Sequence, residues 1–206
     1  MSLILAETKE KSYEQPPEGT YPAVCYSIVD IGTQPNTFDG ETTYKHQIIV
    51  SWQLAGDERT SSGEPFTVRK WYTASFHPKS RLRIDLESIR GRRFTPEELA
   101  GFDLQRVVGS NCMIGIVHDM DKMGKPKAKI SSLMKLPKGM AVPELELEKE
   151  FFDLGRYDHG AFERLPAWLQ TKISDSPEFQ QASNKPKRNV TDDGGIGDME
   201  DDVPQF

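Results

Sequence analysis

YKHQIIVSWQL, residues 44–54, is the stretch that decides the fold. His46, Ile48, Val50, Trp52 and Leu54 fall on one side of an extended chain, and Lys45, Gln47, Ile49, Ser51 and Gln53 fall on the other. Side chains of a strand alternate between its two faces, so this period of two predicts a strand with one buried face. Trp52, set among Ile48, Val50 and Leu54, is expected in the core.

The same alternation recurs on either side. Residues 21–31 (YPAVCYSIVDI) set Ala23, Cys25, Ser27 and Val29 against Val24, Tyr26 and Ile28. Both faces are half apolar, which predicts a strand covered on both sides or strongly curled. Gly32 to Thr43 carries turn chemistry at Pro35-Asn36 and Asp39-Gly40 and is expected to be a loop. Beyond a Gly/Ser loop over 55–65, a third strand is expected over 66–76, with Phe66, Val68, Lys70 and Tyr72 alternating with Thr67, Arg69, Trp71 and Thr73. Leu82, Leu86 and Ile89 have helical spacing within 78–89, and Gly91 stops that helix. Thr95-Pro96-Glu97-Glu98 starts another: Thr95 caps it, Pro96 takes the first helical position and Glu98 closes a capping box, with the end near Gly101. A fourth strand is expected over 106–118, a tight connection containing Gly124 over 120–126, and a fifth strand over 127–134 with Ile130 and Met134 inward.

The chain is therefore expected to be mainly β with short helices. Five strands with helix between the third and fourth is the element order of a five-stranded OB-fold barrel, an order that a mixed α+β domain shares. The expected organisation is a polar arm over 1–18, the OB body over 19–137, an extension over 138–179 and a tail over 180–206. The extension carries a short helix over 166–173 that packs on the body, with Leu165, Trp168, Leu169 and Ile173 on one side. The tail is too polar to offset the entropy of ordering and is expected to be disordered.

Net charge is −6, which at first argues against a polyanionic partner. Its position reverses that argument. Every charge from Val190 onward is acidic, namely Asp192, Asp193, Asp198, Glu200, Asp201 and Asp202, so residues 1–189 are neutral. Within them, Arg69, Lys70, Lys79, Arg81, Arg83, Arg90, Arg92 and Arg93 are opposed by Asp85 and Glu87 alone. Lys122, Lys125, Lys127, Lys129, Lys135 and Lys138 form a second block without acids. Either block alone is an ordinary solvated face; the two together suggest a polyanion site.

Other chemistry finds little footing. Cys25 and Cys112 sit in apolar runs and read as reduced core thiols, without disulfide or zinc spacing. His118-Asp119-Met120-Asp121 contains metal-ligand types but falls in a predicted turn, where Asp serves local hydrogen bonds. No catalytic residues, metal or cofactor are expected, and no enzyme. Met1–Ala6 lacks the basic flank of a signal peptide, and no apolar run approaches a membrane span of about 20 residues.

The most specific feature is the terminal run Gly197-Asp198-Met199-Glu200-Asp201-Asp202-Val203-Pro204-Gln205-Phe206. Phe206 suits an apolar pocket, its carboxylate suits an Arg or Lys, and the acids add long-range attraction. This ending is similar to the acidic tip of bacterial and phage single-stranded DNA-binding proteins, from which it departs by Gln205, placed between Pro204 and Phe206. Gly19-Thr20-Tyr21-Pro22-Ala23-Val24, Lys127-Ala128-Lys129-Ile130-Ser131-Ser132 and Leu165-Pro166-Ala167-Trp168-Leu169 also resemble the phage members. The resemblance implies sequence-independent coating of single-stranded DNA in replication and recombination, in the cytoplasm of a bacterial host. It implies bases stacked on aromatics of the OB face and phosphates held by basic side chains. In this chain the matching parts are Trp71, Phe76 and His77, with Arg69, Lys79, Arg81, Arg83, Arg92, Arg93, Lys125, Lys127 and Lys129. Trp71 is also open to being a core or subunit contact, and RNA in place of DNA and a homo-oligomer stay open. Asp201, Asp202, Val203, Pro204 and Phe206 would recruit replication or recombination proteins. An accessory factor acting mainly through protein contacts is the competing reading.

Overall fold

In a computed structural model of the chain, residues 14–38, 40–120, 124 and 126–183 are described. Six strands, β1 (Gly19–Phe38), β2 (Glu41–Leu54), β3 (Thr67–Thr73), β4 (Asn111–Met120), β5 (Pro126–Lys135) and β6 (Glu150–Phe152), share one sheet. Its path is β3-β2-β1-β4-β5, antiparallel throughout, and β6 joins β1 in parallel. The helices are short: α1 (Arg81–Arg90), α2 (Pro96–Ala100), α3 (His159–Arg164), α4 (Ala167–Ser174) and α5 (Pro177–Ser183). The mainly β expectation holds. No ladder joins β3 to β5 among the described residues, so the sheet is open where a closed barrel would be paired.

The local chemistry of α1 and α2 is as the sequence dictates. Gly91 ends α1 in the left-handed region, and the reciprocal Thr95–Glu98 capping box starts α2. Arg92 and Arg90 hold the Glu98 carboxyl down to about 2. The predicted loop at 32–43 is instead the extension of one long hairpin. Residues 33–38 pair with 41–46, with Phe38 opposite Glu41; Asp39 of the Asp39-Gly40 signal lies outside the described residues. Pro35 stands opposite Tyr44 in this projecting ribbon, where a missing N–H is tolerated. The third strand ends at Thr73 rather than Phe76. The fourth starts at Asn111, after a 3₁₀ turn over Leu104–Val107 capped by Asp103.

Two bulges alter which residues face inward. An irregularity between Cys25 and Ser27 brings Cys25 and Ile28 to the same core and sends Val29 and Ile31 to a second one. On β5, Gly115 pairs Ser132 while Ile116 pairs Ile130, so Ser131 is the extra residue. Leu133 is therefore buried and Met134 exposed, the reverse of the alternation read from sequence. A Cβ on Gly115 would lie 2.5 Å from the Ser132 hydroxyl, which explains the glycine opposite the bulge.

The first core gathers Ile48, Val50, Trp52 and Leu54 of β2 with Ala23, Cys25, Ile114, Ile116 and Ile130, closed by Leu82, Leu86 and Ile89 of α1. The opposite face of β2 is covered as well, against the one-faced expectation. Ile49 joins Val29, Ile31, Phe152, Phe162, Leu165, Leu169 and Ile173 in the second core. Gln53, wholly buried, accepts from the backbone of Glu146 and Leu147 and donates to the carbonyl of Glu144. The amide thus replaces the hydrogen bonds that water would have given those buried groups. The extension accordingly lies on the sheet, and residues 180–183, expected in the tail, complete α5. Residues 184–206 lie outside the described residues.

Candidate nucleic-acid interface

β3 and β5 are the unpaired margins of the sheet, and they face one another across a groove. Arg69 and Trp71 of β3 and Lys127, Ala128 and Ile130 of β5 line a cleft of about 560 Å³, with Gln15, Pro16 and Trp168 at its sides. An adjoining hollow of about 380 Å³ shares those five residues and adds Lys70, Asp119, Met120 and Lys129. The arm explains part of the opening. Gln15 Nε2 donates to the Pro126 carbonyl at 2.7 Å, and its Oε1 accepts from the Ala128 amide. One carboxamide thus occupies backbone groups of β5 that a neighbouring strand would use.

Alternation along β3 sends Val68 and Tyr72 into the core and Arg69 and Trp71 outward, as expected. Trp71 keeps 42% of its surface exposed. Trp168, at 40%, stands beside it, with ring centroids 6.4 Å apart and planes tilted by 41°. The Arg69 guanidinium carbon lies 4.8 Å from the Trp168 ring centroid, within cation–π range. Sequence reasoning placed Trp168 on the apolar side of its helix. The buried residues there are Leu169 and Ile173, and Trp168 is turned over β3.

The expected phosphate contacts divide into two groups. Lys127 is exposed at the groove and enters no ion pair among the described residues. Lys129 Nζ is 3.0 Å from Asp119, a highly exposed pair that holds the Asp119 carboxyl below its usual range. Exposed pairs of this kind are worth about 0–1 kcal/mol, so Lys129 is exchangeable. Lys125 lies outside the described residues. Lys79, His77 and Arg93 are exposed near the ends of α1. The ring Nδ1 of His77 accepts from the Lys79 backbone amide at 3.2 Å.

The other basic side chains are paired within the chain, Arg83 in a largely buried pair and Arg81 and Arg92 in exposed pairs as exchangeable as that of Lys129. Arg83 is largely buried; it is 3.0 Å from Glu87 and donates to the Phe76 carbonyl at 3.2 Å. Arg81 contacts Asp85 at 3.0 Å, and Arg92 contacts Glu98 at 2.8 Å. The i,i+4 spacings Arg81–Asp85 and Arg83–Glu87 are the signal that foretells these pairs. Phe76 is half-buried and packs edge-on against Phe94 and Phe102, 5.2 and 5.7 Å between centroids, so it is no exposed stacking surface. Trp52 is buried in the first core.

Neither cysteine is an activated nucleophile. Burial pushes the Cys25 thiol well up and the Cys112 thiol up to about 12. The His118 ring contacts the Pro16 carbonyl at 2.8 Å, Asp119 serves Lys129, and Asp121 lies outside the described residues. Among the described residues no helix is long and apolar enough to cross a membrane. No family model matches the sequence, and no curated protein matches it.

Proposed function

We propose that this protein binds single-stranded DNA without base specificity, in the groove between β3 and β5. The observation that carries the proposal is the pair of exposed tryptophans, Trp71 and Trp168, flanked by Arg69, Lys127 and Lys129. Exposed aromatics offer stacking faces that every base fits, and the adjacent cations suit the phosphates. Duplex DNA hides its base faces, so the same groove favours unpaired strands. The path β3-β2-β1-β4-β5 with an open β3–β5 seam supports a partly open OB-fold barrel. In this reading the protein acts by binding rather than catalysis. The terminal segment with Asp201, Asp202, Val203, Pro204 and Phe206 recruits replication or recombination proteins. Phe206→Ala should abolish capture of such a partner and leave DNA affinity intact; unchanged capture would remove that role.

The test is a pair of substitutions measured against dT oligonucleotides across a salt series. Trp71→Ala should lower affinity and leave the slope of log K against log salt unchanged. Lys127→Ala should lower affinity and flatten the slope by about 0.7, the value for one phosphate contact on a single strand. A flat salt response in the unmodified protein, or equal affinity for duplex, would refute the proposal.

A further inference from the structure

Trp168 belongs to α4, an element of the C-terminal extension and not of the five-strand path. Leu169 and Ile173 anchor that helix in the second core, and Gln34 Nε2 donates to the Lys172 carbonyl at 2.9 Å. Trp168 contributes little to this anchoring. Its apolar surface is left half in water beside Trp71, whose surface is left the same way. Two large exposed aromatics side by side are unusual for fold stability alone and mark a binding surface. They are also not stacked on each other. Their centroids are 6.4 Å apart and the planes depart from parallel by 41°.

We propose that Trp71 and Trp168 are the two jaws of a clamp that takes one unpaired nucleobase between them, with Arg69 supplying charge to the adjoining phosphate. This rests on the single-stranded DNA reading above. A base held between parallel rings needs about 6.8 Å, twice the ~3.4 Å base spacing along a strand. The present 6.4 Å between the centroids of two tilted rings is that of an ordinary aromatic contact, so the resting pair is closed. Taking a base therefore requires the two side chains to swing apart and turn parallel, while Leu169 and Ile173 keep the helix anchored. The Cβ–ring torsion of tryptophan is soft and permits such a turn. Arg69 already lies against Trp168, so its charge is delivered at the jaw. A base still stacked in a duplex cannot enter, so the clamp discriminates strand state by shape in addition to charge.

The experiment uses the full chain with two probes, a dT oligonucleotide and a sugar–phosphate strand of the same length lacking bases. Trp71→Ala and Trp168→Ala should each weaken dT binding by roughly 5- to 150-fold, the effect of one lost stack. The double variant should lose less than the product of the two single losses, because a base released by one jaw is held less firmly against the other, so each single loss already includes part of the second stack. Neither change should alter binding of the baseless strand. Trp168→Phe should retain most of the affinity. Trp168→Leu, which keeps the bulk on α4, should match the alanine loss and guards against a folding artefact. Unchanged dT affinity in Trp168→Ala and Trp168→Leu, with Trp71→Ala still weakened, would overturn the clamp and leave the DNA reading standing. Losses that multiply in the double variant would mean two separate stacking sites and would also overturn it. Failure of the unmodified chain to bind dT would remove the DNA reading itself, and the clamp with it.

Discussion

Asp85→Ala tests whether the buried carboxylate of α1 that gathers Lys70 and Tyr72 of β3 holds the helix to the sheet. The Asp85 side chain is 6% exposed and receives Lys70 Nζ at 2.6 Å, the Tyr72 hydroxyl at 2.9 Å and Arg81 Nε at 3.0 Å. Burial, with the neighbouring carboxylate, pushes the Tyr72 phenol far up, so it stays a donor. Removing the carboxylate leaves the Lys70 ammonium, 21% exposed, and a buried hydroxyl without their partner. Arg81, at 60% exposure, returns to water and adds little. Breaking a buried pair from one side costs about 3–5 kcal/mol. At about 2–4 °C per kcal/mol for a chain of this size, the midpoint should fall by about 6–20 °C. Thermal and denaturant unfolding followed by circular dichroism read this directly. The triple variant Lys70→Met/Tyr72→Phe/Asp85→Leu should recover most of the loss, because apolar replacement of a whole buried polar group is near neutral. A loss below about 1 kcal/mol in Asp85→Ala would refute the reasoning, since an exposed pair is worth no more than that.

Two further outcomes follow from the same side-chain accounting. Arg83→Ala should destabilise the protein, by the loss of its Glu87 pair and its bond to the Phe76 carbonyl, and leave the salt slope of DNA binding unchanged; a flattened slope would put Arg83 on the DNA. His46 Nε2 lies 2.7 Å from Asp30 and Nδ1 lies 3.6 Å from Glu178 of α5, and the bond to Asp30 chiefly raises its pKa above the ordinary value of 6.5. Its contribution is complete below that ordinary value and is lost as pH rises through the raised one. The stability advantage of the unmodified chain over His46→Gln should therefore shrink as pH rises above the ordinary histidine value, as read by thermal melts; a constant difference would contradict the assignment.

Much of this fold was legible because its signals are local. The alternation of residues 44–54, the Thr95–Glu98 capping box and the stop at Gly91 each depend on residues within a few positions. What escaped depends on partners distant in sequence. The bulge at Ser131 is specified by close packing against Gly115, and it turns Leu133 inward where simple alternation turned Met134. The ribbon over 33–46 looked like a loop because Pro35 and Asn36 carry turn chemistry, but pairing across Asp39-Gly40 overrides it. At the site, Arg69, Trp71 and Lys127 were readable from strand parity and charge. Trp168 was not, because the β3–β5 groove is assembled from an edge strand, a hairpin and a helix nearly a hundred residues beyond Trp71 in sequence. Gln15 was invisible for the same reason, since its carboxamide acts on the backbone of β5.

The most direct test of the central claim is intrinsic tryptophan fluorescence during titration with poly(dT), repeated with duplex DNA of equal length. Trp52 is buried and should stay silent, while Trp71 and Trp168 face the groove. The account predicts saturable quenching by poly(dT), reversed by added salt, and much weaker quenching by duplex. Emission that does not change with poly(dT), or that changes equally with duplex, would contradict it.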